Sequence, residues 1–278
     1  MKNNTICLLD RNAVSEIENS LQGRPGKNYQ KLKSLDVKGV FISPLLSIIE
    51  GNKIQNRTAE VLHACIDRES DAVSRFFSHA RVDSVHLKND AVSISLGLIG
   101  DLIKKQDESL EFVKALQENF VEHGKKEKVR ERAKLALDLI RANSKQFADP
   151  CSLVGLATAL GSECARQVLK PKAPSCTEHA FNAYADIEKI SLMNYMRHLS
   201  GSSGHHAAYK LITFDKGLQK FSQMIRVTQA RSRSTDSYDV IQYVIDSDVF
   251  LNSIPVLSEM TKFKAELKRE ISDINFIV

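Results

Sequence analysis

The sequence has no tryptophan, and its 278 residues include only 6 tyrosines and 12 phenylalanines. A surface that binds nucleic acid by stacking bases on aromatic rings therefore has little to draw on. Cysteine is scarce and scattered. Cys7, Cys65, Cys151, Cys164 and Cys176 are odd in number and form no C-x-x-C pair. That speaks against a disulfide framework or a zinc cage, and the thiols read as reduced packing groups. Long apolar runs are missing too. A membrane span needs roughly 18 apolar residues, and the segment 39–50 is shorter and carries Ser43, Pro44 and Glu50. The first apolar run is too brief for a signal peptide, so the expected location is cytoplasmic, with no membrane partner. Nor is there a phosphate loop. Gly23-Arg24-Pro25-Gly26-Lys27 has two residues between its glycines where G-x-x-x-x-G-K-[ST] has four, and Asn28 replaces the metal-binding hydroxyl. It reads as a turn. A phosphotransfer enzyme with a nucleophile at Asp10 would want a second aspartate two residues on, where Asn12 stands.

What is present is an ordinary globular composition. The net charge of +5 permits a nucleic-acid partner without requiring one. Two short apolar runs end on an aspartate: Thr5-Ile6-Cys7-Leu8-Leu9-Asp10 and Lys210-Leu211-Ile212-Thr213-Phe214-Asp215. Such runs read as buried parallel strands. In open α/β sheets chemistry sits at the carboxyl ends of the strands. Two carboxylates delivered there predict an acidic site.

Between them the pattern is strand, helix (11–21), strand (40–43) and a helix opening at Pro44. From about 57 to 169 apolar residues recur at three and four spacing, which predicts an all-helical block of four or five helices. Asp149 and Pro150 read as the N-cap and first residue of a helix. A helix is predicted over 177–199, a flexible Gly/Ser loop over 200–206, a short helix near 218–221 and a strand over 224–228. The polar run 231–235 reads as a linker, followed by helices at 237–247 and 255–272. The expected fold class is α/β: a small parallel sheet flanked by helices, elaborated by a helical insertion and C-terminal helices. The basic residues of 123–145 are interrupted by Glu127, Glu131 and Asp138 and read as a solvated helix face. His205 and His206 read as solvent-exposed.

Glu50 follows the second strand, and Asp186 lies in the helix before the Asp215 run. Two unit charges about 4 Å apart repel by roughly 4 kcal/mol at an effective dielectric of 20. Converging carboxylates therefore call for a hard divalent cation. Thr213 and Asp215 are two apart and share a strand face.

The series Leu9-Asp10, Ser43 with Glu50, Asp186-Ile187 and Ile212-Thr213-Phe214-Asp215-Lys216-Gly217-Leu218 resembles a PIN-domain ribonuclease. The resemblance covers about 1–55 and 178–230 as a PIN-like core, with 56–177 as a helical insertion and 231–278 as a C-terminal helical extension. The insertion is far longer than in compact PIN toxins, and the Asp186–Asp215 spacing is long. The resemblance implies a Mg²⁺- or Mn²⁺-dependent endoribonuclease, in a toxin-like or defence role, leaving 5′-phosphate and 3′-hydroxyl ends. Asp10, Glu50, Asp186 and Asp215 would be metal ligands, with Thr213 assisting and Arg11 and Lys216 contacting the RNA backbone. Asp149, in Ala148-Asp149-Pro150, is the alternative third acid. Asp186 is favoured because its helix directly precedes the Asp215 strand. An antitoxin or other regulatory protein and a homo-oligomer are the further partners expected. The competing reading is a catalytically silent PIN-like scaffold that binds a partner through its helical block.

Overall fold

Thr5–Leu9 forms the first strand, β1, of a computed structural model that describes residues 5–51, 59–90, 109–123, 126–202, 207–234 and 239–274. Contacts divide the chain into two units, one of residues 1–103 and 199–215, the other of residues 104–198 and 216–278.

In the first unit β1 pairs in parallel with β2 (Val40–Ser43) on one side and with β4 (Ala208–Ile212) on the other. A two-residue strand, β3 (Arg81–Val82), extends the sheet beyond β2, so the order is β3-β2-β1-β4. The central position of β1 explains its sequence. Cys7, Leu8 and Leu9 are all buried, as expected of a parallel strand covered on both faces. Cys7, Leu9 and Ile42 join one core with Val14 and Ile17 of α1 (Arg11–Leu21), Leu32 of α2 (Tyr29–Lys33), and Val73 and Phe76 of α4 (Ala59–Phe76). A second cluster links Ile48 of α3 (Leu45–Gly51), Leu62 and Ile66 of α4, and Leu87 of α5 (Ser84–Asn89). The approach to β3 is held by Asp36, whose carboxylate accepts from the backbone N–H groups of Ser78, His79 and Ala80. Burial pushes the Asp36 carboxyl up, but these N–H donors outweigh it and hold the group well below the usual carboxylate range.

Two expectations change here. The strand carrying Leu211 and Ile212 starts and ends earlier than its apolar run, so Thr213 and Asp215 follow β4 instead of ending it. β3 lies inside the block read as all-helical; two residues carry no periodicity to detect.

The second unit contains a helix over the described residues 109–119 (α6), then α7 (Val129–Ala142), α8 (Pro150–Ala159), α9 (Glu163–Leu169) and α10 (Thr177–Ser202), which belongs to this unit up to His198. α8 is apolar all round, and nine of its residues from Cys151 to Ala159 are buried. It starts as predicted: Pro150 is its first residue, and Asp149 accepts from Cys151 N at 2.8 Å and Ser152 N at 3.3 Å. α11 (Lys216–Met224) packs on α9 and leads into β5 (Val227–Ser234), which pairs antiparallel with β6 (Asp239–Ile245). The linker read over 231–235 is thus strand through Ser234, and the helix read over 237–247 is strand from 239 to 245. Among the described residues β5 pairs with β6 alone, and the strand predicted near 224–228 falls in this hairpin from Val227 onward. α12 (Ser247–Asn252) and α13 (Thr261–Ile274) complete the unit, with Phe250 edge-on to Phe147 at 5.8 Å. Among the described residues no helix is long and apolar enough to cross a membrane.

Candidate functional site

In a sheet of order β3-β2-β1-β4, succession runs one way from β1 through β2 to β3, while β4 lies on the other side of β1. The switch point is therefore at the carboxyl ends of β1 and β4, where an open α/β sheet leaves a crevice.

Asp10 stands there. Its N–H donates to Ile212 O of β4 at 3.1 Å, and its Oδ1 accepts from Ala13 N at 2.9 Å as the N-cap of α1. The residue is fully buried. On the neighbouring strand Thr213 follows Ile212, and its Oγ1 accepts from Asp215 N at 3.0 Å. This local turn fixes where Asp215 leaves the sheet. Glu50, on the last turn of α3, reaches the same helix start as Asp10: its Oε2 accepts from Arg11 N at 3.1 Å. Two carboxylates thus share the first turn of α1, where unpaired N–H groups and the helix dipole favour negative charge. Asp10 and Glu50 meet at the start of α1, and Thr213 and Asp215 follow the strand that borders Asp10.

The other expected residues stand differently. The Arg11 guanidinium, on a side chain 31% exposed, meets Glu69 on α4 through Nη1, with Glu18 at 3.9 Å. Arg68 meets the same two acids at 3.3 Å each. Asp186, on α10 in the second unit, is 7% exposed. Its two oxygens are each taken by an ammonium: Oδ2 by Lys170 at 2.6 Å and Oδ1 by Lys189 at 2.7 Å. Asp149, the alternative, spends its carboxylate on the α8 cap. Lys216 opens α11 with its side chain exposed. His205 and His206 lie outside the described residues.

Two acids escaped the sequence reading. Glu69 is wholly buried, and burial pushes its carboxyl up against the opposing pull of the Ser47 hydroxyl and the Arg11 and Arg68 guanidiniums. It does leave a trace in the sequence: Leu62, Ile66, Glu69, Val73 and Phe76 fall on one helical stripe, with an acid at its centre. Asp83 follows β3 as Asp10 follows β1. Its N–H donates to Ile42 O at 3.2 Å, and burial pushes its carboxyl up to about 6, partly offset by the Ser43 hydroxyl at the end of β2. Across the carboxyl edge the order is therefore Asp83, Ser43, Asp10, then Thr213 with Asp215. At about 4.8 Å per strand, Asp83 sits roughly 10 Å from Asp10.

The carboxyl and hydroxyl oxygens named at this edge are hard donors, of the kind that suit Mg²⁺ or Mn²⁺. Among the described residues no three His, Cys, Asp or Glu side chains are gathered closely enough to cage an ion. One or two carboxylates completed by water and substrate phosphate is the usual manner of holding Mg²⁺, and Asp10 and Asp215, the latter three residues beyond the end of β4, are the carboxylates that such an open arrangement would use. Comparison with known proteins finds no matching family model, no matching curated protein and no matching solved structure.

Proposed function

We propose that the carboxyl edge of this sheet is a PIN-like, Mg²⁺- or Mn²⁺-dependent ribonuclease site that hydrolyses RNA phosphodiester bonds. The observation that supports the proposal is the fully buried Asp10 at the carboxyl end of β1, bonded to Ile212 of β4, from which the chain runs on through Thr213 to Asp215. Asp10 and Asp215 are the residues that would hold the cation, with Glu50 reaching it through water. The cation would lower the pKa of a bound water and offset charge on the phosphate. The chain's own residues do the positioning. The α1 cap keeps Asp10 in one rotamer, Arg11 N orients Glu50, and the Thr213 hydroxyl sets the backbone that presents Asp215.

The ion pairs of Asp186 favour a second reading. With Lys170 and Lys189 already neutralising it, Asp186 behaves as a structural anion, and a sheet edge short of one acid would bind without cutting. Labelled RNA and DNA incubated with Mn²⁺, with EDTA, and with Asp10→Asn and Asp215→Asn proteins decide between the two. The nuclease reading expects cleavage of RNA that EDTA abolishes and each variant strongly lowers. Cleavage that survives EDTA, or both substitutions, sinks it. An Asp186→Asn protein that cuts normally but melts earlier assigns that residue to structure.

A further inference from the structure

One stretch of the chain carries positive charge with no acid in it. Residues 216–235 contain Lys216, Lys220, Arg226, Arg231 and Arg233 and no acid, so five of the 39 lysines and arginines leave 34 to balance the 34 acids elsewhere. The basic stretch 124–145 also nets +5 but is interrupted by Glu127, Glu131 and Asp138, whereas 216–235 is not interrupted. The fold turns it into a surface. On α11, Gly217, Leu218, Phe221, Ser222 and Met224 are buried, which leaves Lys216, Gln219, Lys220 and Gln223 exposed at i, i+3, i+4 and i+7. Arg226 is exposed just beyond, and β5 then carries Arg231 and Arg233 at register positions opposite Gln242 and Val240. Among the described residues no carboxylate lies within ion-pair distance of Lys216, Lys220 or Arg226. Elsewhere Arg141 meets Asp138 and Glu270, and Lys268 meets Asp248.

We propose that the exposed stripe of α11 and the start of β5 is a docking surface for the phosphate backbone of single-stranded RNA. This deepens the nuclease reading and rests on it for the choice of RNA. Charge complementarity selects a polyanion. Lys216 and Lys220 stand one helical turn apart, about 6 Å along the axis, so the stripe offers spaced cations and not a single pocket. The glutamines between them donate and accept hydrogen bonds, as ribose and phosphate oxygens require. A lipid surface would need apolar side chains on the same face, and those of α11 are buried. The lack of tryptophan is consistent with recognition through the backbone instead of stacked bases.

The test is fluorescence anisotropy with a labelled oligouridylate in EDTA across 50–300 mM salt, so that binding is read without cleavage. Lys220→Glu and Arg226→Glu are each expected to lower the slope of log affinity against log salt by about one, and together to weaken binding by about tenfold or more at the lowest salt. Lys134→Glu, an equal charge change on the exposed face of α7, should leave the slope unchanged. Circular dichroism checks that all variants fold. The proposal is overturned if the Lys220 and Arg226 variants bind like the Lys134 variant, if polyglutamate competes as well as RNA, or if a DNA oligonucleotide binds tighter. The nuclease reading stands apart from this outcome. Asp10→Asn should bind normally, so lost cleavage with intact stripe-dependent binding keeps the docking surface, and intact cleavage with stripe-independent binding removes it.

Discussion

Asp10 does two things with one carboxylate. It caps α1 through Oδ1, and the same cap holds it at the carboxyl end of the central strand. Asp83 repeats the placement on β3 without a side-chain cap bond, and burial raises its carboxyl. The folded protein binds this proton more tightly than the unfolded chain, because the carboxyl rises from 3.8 to about 6. The contribution therefore favours folding below about pH 4 and is lost as the pH climbs to about 6. Asp83→Asn should raise stability at pH 7 by about 1–2 kcal/mol, after discounting for partial exposure, and flatten urea-unfolding stability between pH 4 and 7. Equal pH profiles for the two proteins would count against a buried acid at β3. Glu69 predicts the opposite sign. Glu69→Ala leaves Arg11 and Arg68 facing each other across a buried gap and should cost about 2–4 kcal/mol. Glu69→Gln, which keeps an acceptor for Arg11, should cost less, and urea midpoints rank the two.

At this scale the sequence is legible where a carboxylate ends a run long enough to recognise. Asp10 qualifies, while Asp215 ends its apolar run three residues past the end of β4. Asp83 does not, since its strand is two residues long and exists only because β2 lies beside it. The pairing of Asp186 with Lys170 was equally hidden, because it spans sixteen residues and depends on how α9 ends.

Among elements, the hairpin is the instructive case. Val240, Ile241, Val244 and Ile245 fall at spacings that fit a helical stripe, yet every one is β-branched and Tyr243 lies among them. Such residues lose little by extension and pack well across a pleated pair. The end of β5, 231–234, is polar enough to read as a linker, and is strand because β6 supplies its backbone partners. α8 was legible from its cap, but its tolerance was not. A Cβ on Gly155 would lie 2.7 and 2.8 Å from the two δ-carbons of fully buried Leu116. Gly155→Ala gains about 1 kcal/mol of helix propensity, and overpacking a filled core costs about 1–3 kcal/mol. Net destabilisation of about 1 kcal/mol is expected. In that background Leu116→Ala should cost less than it does alone, a coupling that thermal melts of the four proteins would reveal.

For the molecule as a whole, the mixed α/β class with a small parallel sheet and abundant helix followed from strand-like ends around a helical middle. The division did not: residues 59–90 supply α4, β3 and α5 to the sheet unit, so part of the stretch read as insertion builds the sheet's own flank. If Asp10, Glu50 and Asp215 await a cation, Mg²⁺ at ten times its Kd should stabilise the protein by about 1.4 kcal/mol. The rise in melting temperature should vanish in Asp10→Asn, and no rise in the wild type with either Mg²⁺ or Mn²⁺ argues for the non-cutting reading.

β1 and β4 are adjacent in the sheet but about 200 residues apart in the chain. On a ribosome adding 5–20 residues per second, β1 waits roughly 10–40 s for that neighbour. During the wait one side of the central strand is an open edge, the kind of template that recruits other chains, and Asp10 N–H lacks the Ile212 carbonyl it will bond. Synthesis itself therefore sets a delay. More than three quarters of the sequence must be made before the second carboxylate of the switch point exists at all, and a chain abandoned earlier carries Asp10 without its counterpart.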